Sequence, residues 1–519
     1  MTEHAERRGR RRRGGGHAAK AVDHSIHQLP WNNNLVNPYR PIEIVDEEAI
    51  EKIHDASMTI LEEVGIEVLL PEAVERYKAA GADVKPGSER VRFDRGMIEE
   101  LVAKAPSGFT LHSRTPERNL KIGGNIMAFC PVASAPNCSD LDKGRRRGNQ
   151  EDFRKFIKLA QFFNIIHLHG GYSVEPVDLP PATRHLDCLY DFATMGDKVF
   201  HAYSLGKERN LDALEIVRIA RGISEEQLSE EPSLITVINS SSPLRLDNPM
   251  MQGIIEMSSR NQVVILTPFT LSGAMAPVTI AGALAQQNAE ALAGIAFTQI
   301  VRPGSPAVYG GFTSNVDMKT GSPAFGTPEY VRAAQIGGQL ARRYNLPYRS
   351  SNTNASNAVD AQAAYESVMS LWGALMGGAN ILKHGAGWME GGLTASFEKF
   401  MIDIDLLQQM AEYMKPIEVN DATLALDAVR DVGPGGHYFG TAHTQERYKD
   451  AFYEPLISDW RNFETWELDG GRDATQRANE LYKKALDQYE APPIDPGIRE
   501  ELDDFVTRRK AEGGVPTDF

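Results

Sequence analysis

Eight short apolar runs decide the fold: IMAFC (126–130), NIIHLHG (164–170), VFHAYSL (199–205), SLITVINS (233–240), VVILTPF (263–269), PAVYGGF (306–312), PYRSSN (347–352) and NILKHG (380–385). Each is strand-length, rich in Val, Ile and aromatics, and followed by a longer segment with helical spacing. Those segments are 149–163, 181–195, 208–223, 248–260, 278–300, 328–344, 358–376 and 395–414. Strict strand–helix alternation implies a parallel sheet with right-handed crossovers. Eight such units closing on themselves predict a (β/α)8 barrel of the TIM type over residues 122–415. An open doubly wound sheet is the competing α/β architecture. It places a Gly-rich phosphate loop after its first strand, and IMAFCPVASAPNCSD (126–140) contains no Gly.

Outside this core the texture differs. Residues 26–121 form an N-terminal α/β extension, with helices expected at 45–66, 71–80 and 97–104 and a strand pair at FTLHSR and NLKIGG. Gly65 is placed to stop the first helix. Residues 416–519 hold no further strand run and are expected as a helical cover wrapped on the barrel, with helices at 474–489 and 496–510. The first 25 residues include RRGRRRRGGG (7–16), which has no apolar face and is expected to be a disordered basic tail.

The chain has 519 residues, is 42% hydrophobic and 24% charged, and carries a net charge of −15. That composition supports a large core and argues against a dedicated nucleic-acid binder. Three Cys (Cys130, Cys138, Cys188) cannot build a disulfide framework, so a cytoplasmic, reducing location is expected. No apolar run is long enough to span a membrane, since the best candidate near 280–300 is broken by Gln286, Gln287, Asn288 and Glu290.

In a barrel of this kind function sits at the C-terminal ends of the strands. Here those ends read NSSSPL, TPFTLSGA, YGGFTSNVDM, RSSNTNASN and HGAGWMEGG, which suggests a wide mouth of small residues with embedded aromatics. His167 and His169 are spaced by two, as in zinc-dependent barrel hydrolases, and His201 and His384 are available to join them. No strand-end Asp base or bridging Lys completes that set, so no metal site is expected. There is also no G-x-S-x-G elbow. The loop GGHYFGTAHT (435–444) reads as a lid presenting His437, Tyr438 and Phe439.

Several stretches resemble the trimethylamine methyltransferase family: ILEEVGIEVLLPEAVERYKAAGADV, APSGFTLHSRTPERNLKIGG, CPVASAPNCSDLDKGRRRGNQEDFRKFIKLAQ, VYGGFTSNVDMKTGSPAFGTPEY, DAQAAYES, and GPGGHYFGTAHT followed by FYEPLISDW. The resemblance covers about residues 45–510. It implies a barrel that passes a methyl group from a methylated amine to the cobalamin cobalt of a separate corrinoid protein. The founding members insert pyrrolysine in the loop before the D-x-Q helix. Spacing back from Asp360 puts that position at about Asn352, and every residue of this chain is ordinary. The sequence is therefore similar to the non-pyrrolysine branch, which implies a quaternary amine such as glycine betaine as substrate.

The chemistry fits that branch. A quaternary ammonium leaves as a neutral tertiary amine, so a cobalt(I) nucleophile displaces it without proton transfer. The protein's task is orientation. Aromatic faces hold such cations at ~0.5–2 kcal/mol each. Candidates at the strand ends are Tyr203, Phe269, Tyr309, Phe312 and Trp388, with Tyr438 in the lid. Donors for a substrate carboxylate are expected among His384, Asn315, Asn352, Gln362 and His437, with Glu366 or Asp317 stabilising the ammonium. Asn352, Glu366 and His384 are the expected catalytic positions. The expected protein is a homo-oligomeric methyltransferase acting on glycine betaine, with proline betaine, carnitine and dimethylsulfoniopropionate as alternatives. A metal-dependent barrel hydrolase and a non-catalytic betaine-binding protein are the readings from other classes.

Overall fold

The computed structural model describes residues 26–516, so the basic run expected as a disordered tail lies outside the described residues. Seven strands form the parallel core: β1 (Ile126–Phe129), β2 (Phe200–His201), β3 (Leu234–Ile238), β4 (Val263–Leu266), β5 (Ala307–Gly310), β6 (Tyr348–Ser351) and β7 (Ile381–Lys383). They pair in the order β2-β3-β4-β5-β6-β7-β1 within a ten-stranded sheet. Every one of those pairings is parallel, with Val264 opposite Ala307 and Ser351 opposite Lys383 as examples of register. The result is an α/β fold built on a strongly curled sheet with helices outside.

All eight expected helices are present: α1 (Gln150–Phe162), α2 (Arg184–Met195), α3 (Lys207–Arg221), α4 (Asn248–Ser259), α5 (Ile280–Val301), α6 (Pro328–Arg343), α7 (Ala361–Met376) and α8 (Phe397–Tyr413). Six begin on an Asn, Asp, Thr or Ser whose side chain accepts a first-turn N–H: Asn149, Asp247, Thr279, Thr327, Asp360 and Ser396. These caps satisfy donors that the helix itself leaves open, so each strand-to-helix loop has a defined end.

The run 164–170 differs from the expected second strand. It is not a strand, yet it lies between the two ends of the parallel order. The His167 N–H donates to Phe129 O at 2.8 Å, on β1, and the His169 N–H donates to Val199 O at 2.8 Å, just before β2. The bonds to β1 all converge on Phe129, whose O also takes the Leu168 N–H at 3.4 Å, and no regular ladder develops. In the N-terminal extension, the helix Glu47–Thr59 continues as a π turn, Ile60–Val64, and stops at Gly65 with φ +79°. A Cβ at Gly65 would stand 2.4 Å from Val91 O, so only glycine fits there.

Side chains alternate along the strands and sort into two apolar clusters. Ala128, Cys130, Val199, Ile235, Val263, Ile265, Val308 and Ile381 face the inside of the curl, where Leu111, Leu120 and Ile122 of the antiparallel hairpin Gly108–Leu111/Leu120–Gly123 meet them. The opposite parity, including Met127, Phe129, Val264, Leu266, Tyr309, Tyr348 and Leu382, packs on the helices.

The last two helices of the C-terminal region pack on the flank of the helical layer. Helices Ala474–Asp487 and Pro496–Ala511 return onto the outer helical layer, with the first against α8 and α1 and the second against α2 and α3. Phe397 of α8 stacks between Phe156 at 4.2 Å and Tyr482 at 5.0 Å. Residues between α8 and those helices run as an arm of short helices with exposed apolar side chains, including Ile417, Phe439, Phe452 and Leu468.

One buried ion pair ties this frame to the strand ends. Lys399 and Asp403, both fully buried on α8, meet at 2.5 Å. Asp403 also accepts the Gly387 N–H at 2.9 Å and the Ser367 hydroxyl at 2.9 Å. The pair thus joins α8, α7 and the loop after β7. Removing one member strands a buried charge, so Lys399→Met is expected to destabilise by about 3–5 kcal/mol. The double variant Lys399→Met/Asp403→Leu is expected to regain most of that loss in urea melts. An unchanged single-variant melt would show that the pair does not tie the loop.

Candidate functional site

A cavity of ≈ 580 Å³ opens at the C-terminal ends of the parallel strands, lined by residues from all seven strands or the loops after them. Its wall is aromatic. The Phe312 ring lies 5.1 Å from Phe269, 6.2 Å from Trp388 and 6.1 Å from His384, and His384 packs on Trp388 at 4.0 Å. Across the cavity the Tyr203 ring meets His201 at 4.6 Å, edge to face, and its hydroxyl pairs with Ser134 at 2.7 Å. The rim is small and includes Ser134, Pro136, Gly391 and Gly392.

The floor is cationic. Arg349 of β6 and Lys383 of β7 are at inward-facing positions and are 2% and 3% exposed. Burial lowers the Arg349 guanidinium to about 10 and the Lys383 ammonium to about 7, with the neighbouring Arg349 adding to the Lys383 shift. Lys383 Nζ donates to Gly170 O, and a Cβ at residue 170 would crowd Cys130 at 2.9 Å and Lys383 Cε at 3.4 Å. Arg349 makes a single long contact, 3.5 Å to Gly311 O, and its guanidinium carbon stands 5.2 Å over the Phe312 ring. No Asp or Glu is among the described residues lining the cavity.

The histidines there are neutral. Burial holds His201 and His384 well below the ordinary imidazole range, with Lys383 and Arg349 adding to it. His201 Nε2 accepts the Val237 N–H at 3.0 Å, which leaves its proton on Nδ1, and that atom has no partner among the described residues. His384 sits at φ +57°, a left-handed conformation unusual outside glycine, and its Nδ1 is also without a partner. Trp388 Nε1 and Arg349 Nε complete a set of buried polar atoms left open around one cavity.

Five of the site residues expected from sequence line this cavity: Tyr203, Phe269, Phe312, His384 and Trp388. The others lie elsewhere in the chain. Tyr309 has the outward parity of β5, and its hydroxyl donates to Asn288 at 2.9 Å in the helical layer. Asn352 is fully buried and donates to Gly385 O at 3.1 Å. The Glu366 carboxylate is consumed by the Ala355 and Ser356 N–H groups at 2.9 Å each and by Gln362 at 2.8 Å, so it ties the loop after β6 to α7. Asn315 accepts from Thr327 at 3.0 Å, and Asp317 is in an exposed turn. His437 and Tyr438 are exposed on the arm, and neither lines the cavity.

The hydrolase-like histidine pair is not a metal pair. His167 Nδ1 accepts the Phe129 N–H at 3.1 Å and Nε2 faces Asn32 O at 3.1 Å, while the His169 ring packs on Phe192 of α2. Both face away from the interior, where Leu168 points. Among the described residues no group of three or more His, Cys, Asp and Glu is arranged to hold a metal ion.

Arg349 and Lys383 escaped the sequence reading. The signal was present: a cation inside a short strand that is buried on both faces, as in PYRSSN and NILKHG, has no solvent to reach and must serve the interior.

Comparison with known proteins gives a coherent set. The family model described as trimethylamine methyltransferase (MTTB) matches residues 6–514. The glycine betaine methyltransferase of Desulfitobacterium hafniense strain Y51 is 38% identical over 472 residues, covering 91% of this chain and 98% of that protein. The trimethylamine methyltransferase MttB of Desulfitobacterium hafniense strain DSM 10664 / DCB-2 is 26% identical, covering 90% and 94%. Among solved structures, the hydroxylamine complex of MtmB superimposes with a TM-score of 0.51 at 12% identity, over 92% of this chain and 90% of that one, a likeness of fold.

The buried Lys383 makes a testable link between stability and pH. Its folded-state value near 7 lies below the ordinary 10.5, so between these limits the unfolded chain binds more protons and stability rises with pH. Below pH 7 the fold carries the charge at a cost. Lys383→Met is therefore expected to stabilise the protein by about 1–3 kcal/mol at pH 6, with a smaller gain at pH 9. Urea melts at both pH values check this, and a gain that grows with pH would contradict it.

Proposed function

The chain belongs to the trimethylamine methyltransferase (MTTB) family and is a methyltransferase, and on that premise we propose that it demethylates glycine betaine, passing one methyl group to the cobalt of a separate corrinoid protein. The observation that carries this reading is the acid-free, aromatic-walled cavity at the strand ends. A quaternary ammonium has no N–H to donate, so a carboxylate is not needed to receive it, and Phe269, Phe312 and Trp388 offer the π faces that bind such a cation. The similarity to the Desulfitobacterium hafniense glycine betaine methyltransferase and the absence of pyrrolysine from the sequence support the same branch.

The corrinoid is the methyl acceptor and supplies a nucleophilic cobalt(I). The rim fits the approach of a flat, bulky group, since Ser134, Pro136, Gly391 and Gly392 present little side chain. The residues of this chain bind and orient the substrate. The aromatic wall holds the ammonium with a methyl toward the mouth, and enclosure by Trp388 and Tyr203 excludes water from the reacting centre. The neutral His201 and His384 add no positive charge beside the ammonium. Proline betaine, carnitine and dimethylsulfoniopropionate remain the alternative substrates for the same chemistry.

We read the curled sheet as a (β/α)8 barrel closed through 164–170, supported by the bonds from His167 and His169 to either side. On this reading residues 122–415 are the catalytic unit, 26–121 an N-terminal extension and 416–519 a C-terminal extension. Three buried free thiols support a cytoplasmic location. No described helix is long and apolar enough to cross a membrane.

We also propose a homo-oligomer in which the arm seats on a second copy. Phe439, Phe452 and Leu468 are 80%, 86% and 89% exposed on this one arm, and apolar side chains grouped in an exposed segment are the kind of surface a partner covers. A groove of ≈ 850 Å³ lined by Ile44, Ile53, Ile280, Val331, Ile336 and Met369 is open on the outer layer to receive it.

Three experiments test these readings. Glycine betaine with cob(I)alamin and the purified protein is expected to give dimethylglycine and methylated corrinoid, with far less turnover of trimethylamine. Phe312→Leu and Trp388→Leu are each expected to raise the betaine dissociation constant roughly 5- to 30-fold with little change in melting. Tyr309→Leu is expected to lower the melting temperature and leave affinity alone, since its hydroxyl bonds lie outside the sheet. Efficient trimethylamine turnover without betaine turnover would sink the assignment. For assembly, light scattering is expected to show Phe439→Asp/Phe452→Asp shifting to monomer, and a monomeric wild-type protein at micromolar concentration would refute the arm contact.

A further inference from the structure

Two cations are buried at the floor of the aromatic cavity with no anion to balance them. Arg349 and Lys383 are 2% and 3% exposed, and neither is in an ion pair among the described residues. The nearby buried acids are committed elsewhere. Asp403 is paired with Lys399, and Glu366 is held by Ala355, Ser356 and Gln362. A buried charge without partner or solvent is among the most expensive features a fold can keep. It persists where a ligand completes it.

The geometry is that of an open binding site. Arg349 reaches one carbonyl, Gly311 O, at 3.5 Å, and its Nε has no partner. Lys383 spends one N–H on Gly170 O and, as the ammonium that an anionic ligand would favour, has two more. His201 Nδ1, which carries its proton, and Trp388 Nε1 are further donors on the same cavity without partners. Every one of these polar groups offers hydrogen, which suits a ligand rich in acceptors and poor in donors. The Gly170 position keeps clear the space that the Lys383 stem occupies.

We propose that Arg349 and Lys383 form a carboxylate clamp that makes the site specific for zwitterions, with the anionic end of the ligand on the cavity floor and the cationic end against Phe269, Phe312 and Trp388. The proposal rests on the reading of the cavity as a quaternary-amine site for its cationic half only, since the clamp itself takes any small carboxylate. It separates glycine betaine from choline and tetramethylammonium, which present the same trimethylammonium face to the wall but leave the two cations unbalanced. It also assigns orientation: the carboxylate at the base turns the methyl groups toward the mouth.

The test is calorimetric titration of glycine betaine, choline and acetate into the full chain and into the Arg349→Gln, Lys383→Met and Arg349→Lys variants, alongside their melts. Glycine betaine is expected to bind the wild-type protein roughly 10- to 100-fold more tightly than choline. Arg349→Gln and Lys383→Met are expected to weaken betaine and acetate by at least about tenfold each and to leave choline unchanged or tighter, so that the preference collapses. Arg349→Lys is expected to retain part of it. A structural role for the two cations would move all three ligands together, or melting alone. Equal affinity for betaine and choline in wild type, or acetate binding untouched by both neutral variants, would overturn the clamp. Loss of choline and betaine binding with acetate retained in the wild type would instead overturn the aromatic half of the site, and with it the quaternary-amine reading, while the clamp stands.

Discussion

The alternation of side chains along strands buried on both faces is the constraint on which the other features rest. A parallel sheet wrapped in helices hides both faces, so inward positions are apolar from the hairpin plug upward: Val199, Val263 and Ile381 near the base, then Ile235, Ile265 and Val308. Only where the strands end does an inward position meet a cavity. The next inward residues there are His201, Val237, Arg349 and Lys383, and the chemistry of the site is carried by that last layer and the loops just above it. Residues one position away in the chain, such as Tyr309 and Tyr348, belong to the helical shell for the same reason.

The electrostatics of the site follow from its depth. Desolvation is the leading cause of the lowered values of Arg349, Lys383, His201 and His384; Arg349 adds to the Lys383 shift, and both cations add to those of the two imidazoles. A pocket of this kind is unfavourable for a bare cation and favourable for a molecule whose charges are balanced internally. Its open donors have the same sense. The left-handed backbone of His384 adds local strain at the strand end, which the loop tied down by Asp403 and Lys399 sustains.

The outer architecture divides labour between docking and exposure. The two last helices bury Tyr482, Leu502 and Phe505 against the flank of the helical layer, while the arm before them presents apolar side chains to solvent. The same chain therefore stabilises its own shell with one segment and exposes apolar side chains on the other.

Much of the fold was legible in the residues. The eight helices, the core strands other than 164–170, and the hairpin follow from apolar runs, helical spacing and capping residues, all of which act over a few neighbours. The family resemblance was legible in whole phrases of sequence, and so were five aromatic and imidazole residues of the cavity, because they stand at strand ends. Tertiary structure decided the rest. Whether the tyrosine of PAVYGGF faces the cavity depends on parity relative to Val308, which packing across the curl sets. Whether Glu366 is free depends on backbone N–H groups eleven and ten residues away, at Ala355 and Ser356. Whether the aromatics of the GGHYFGTAHT loop reach the cavity is likewise set beyond the local sequence, and His437 and Tyr438 are exposed and outside its lining. The convergence of Arg349 and Lys383 is of the same kind: each is one charged letter in an apolar run, and only the pairing of β6 with β7 puts both beneath one cavity.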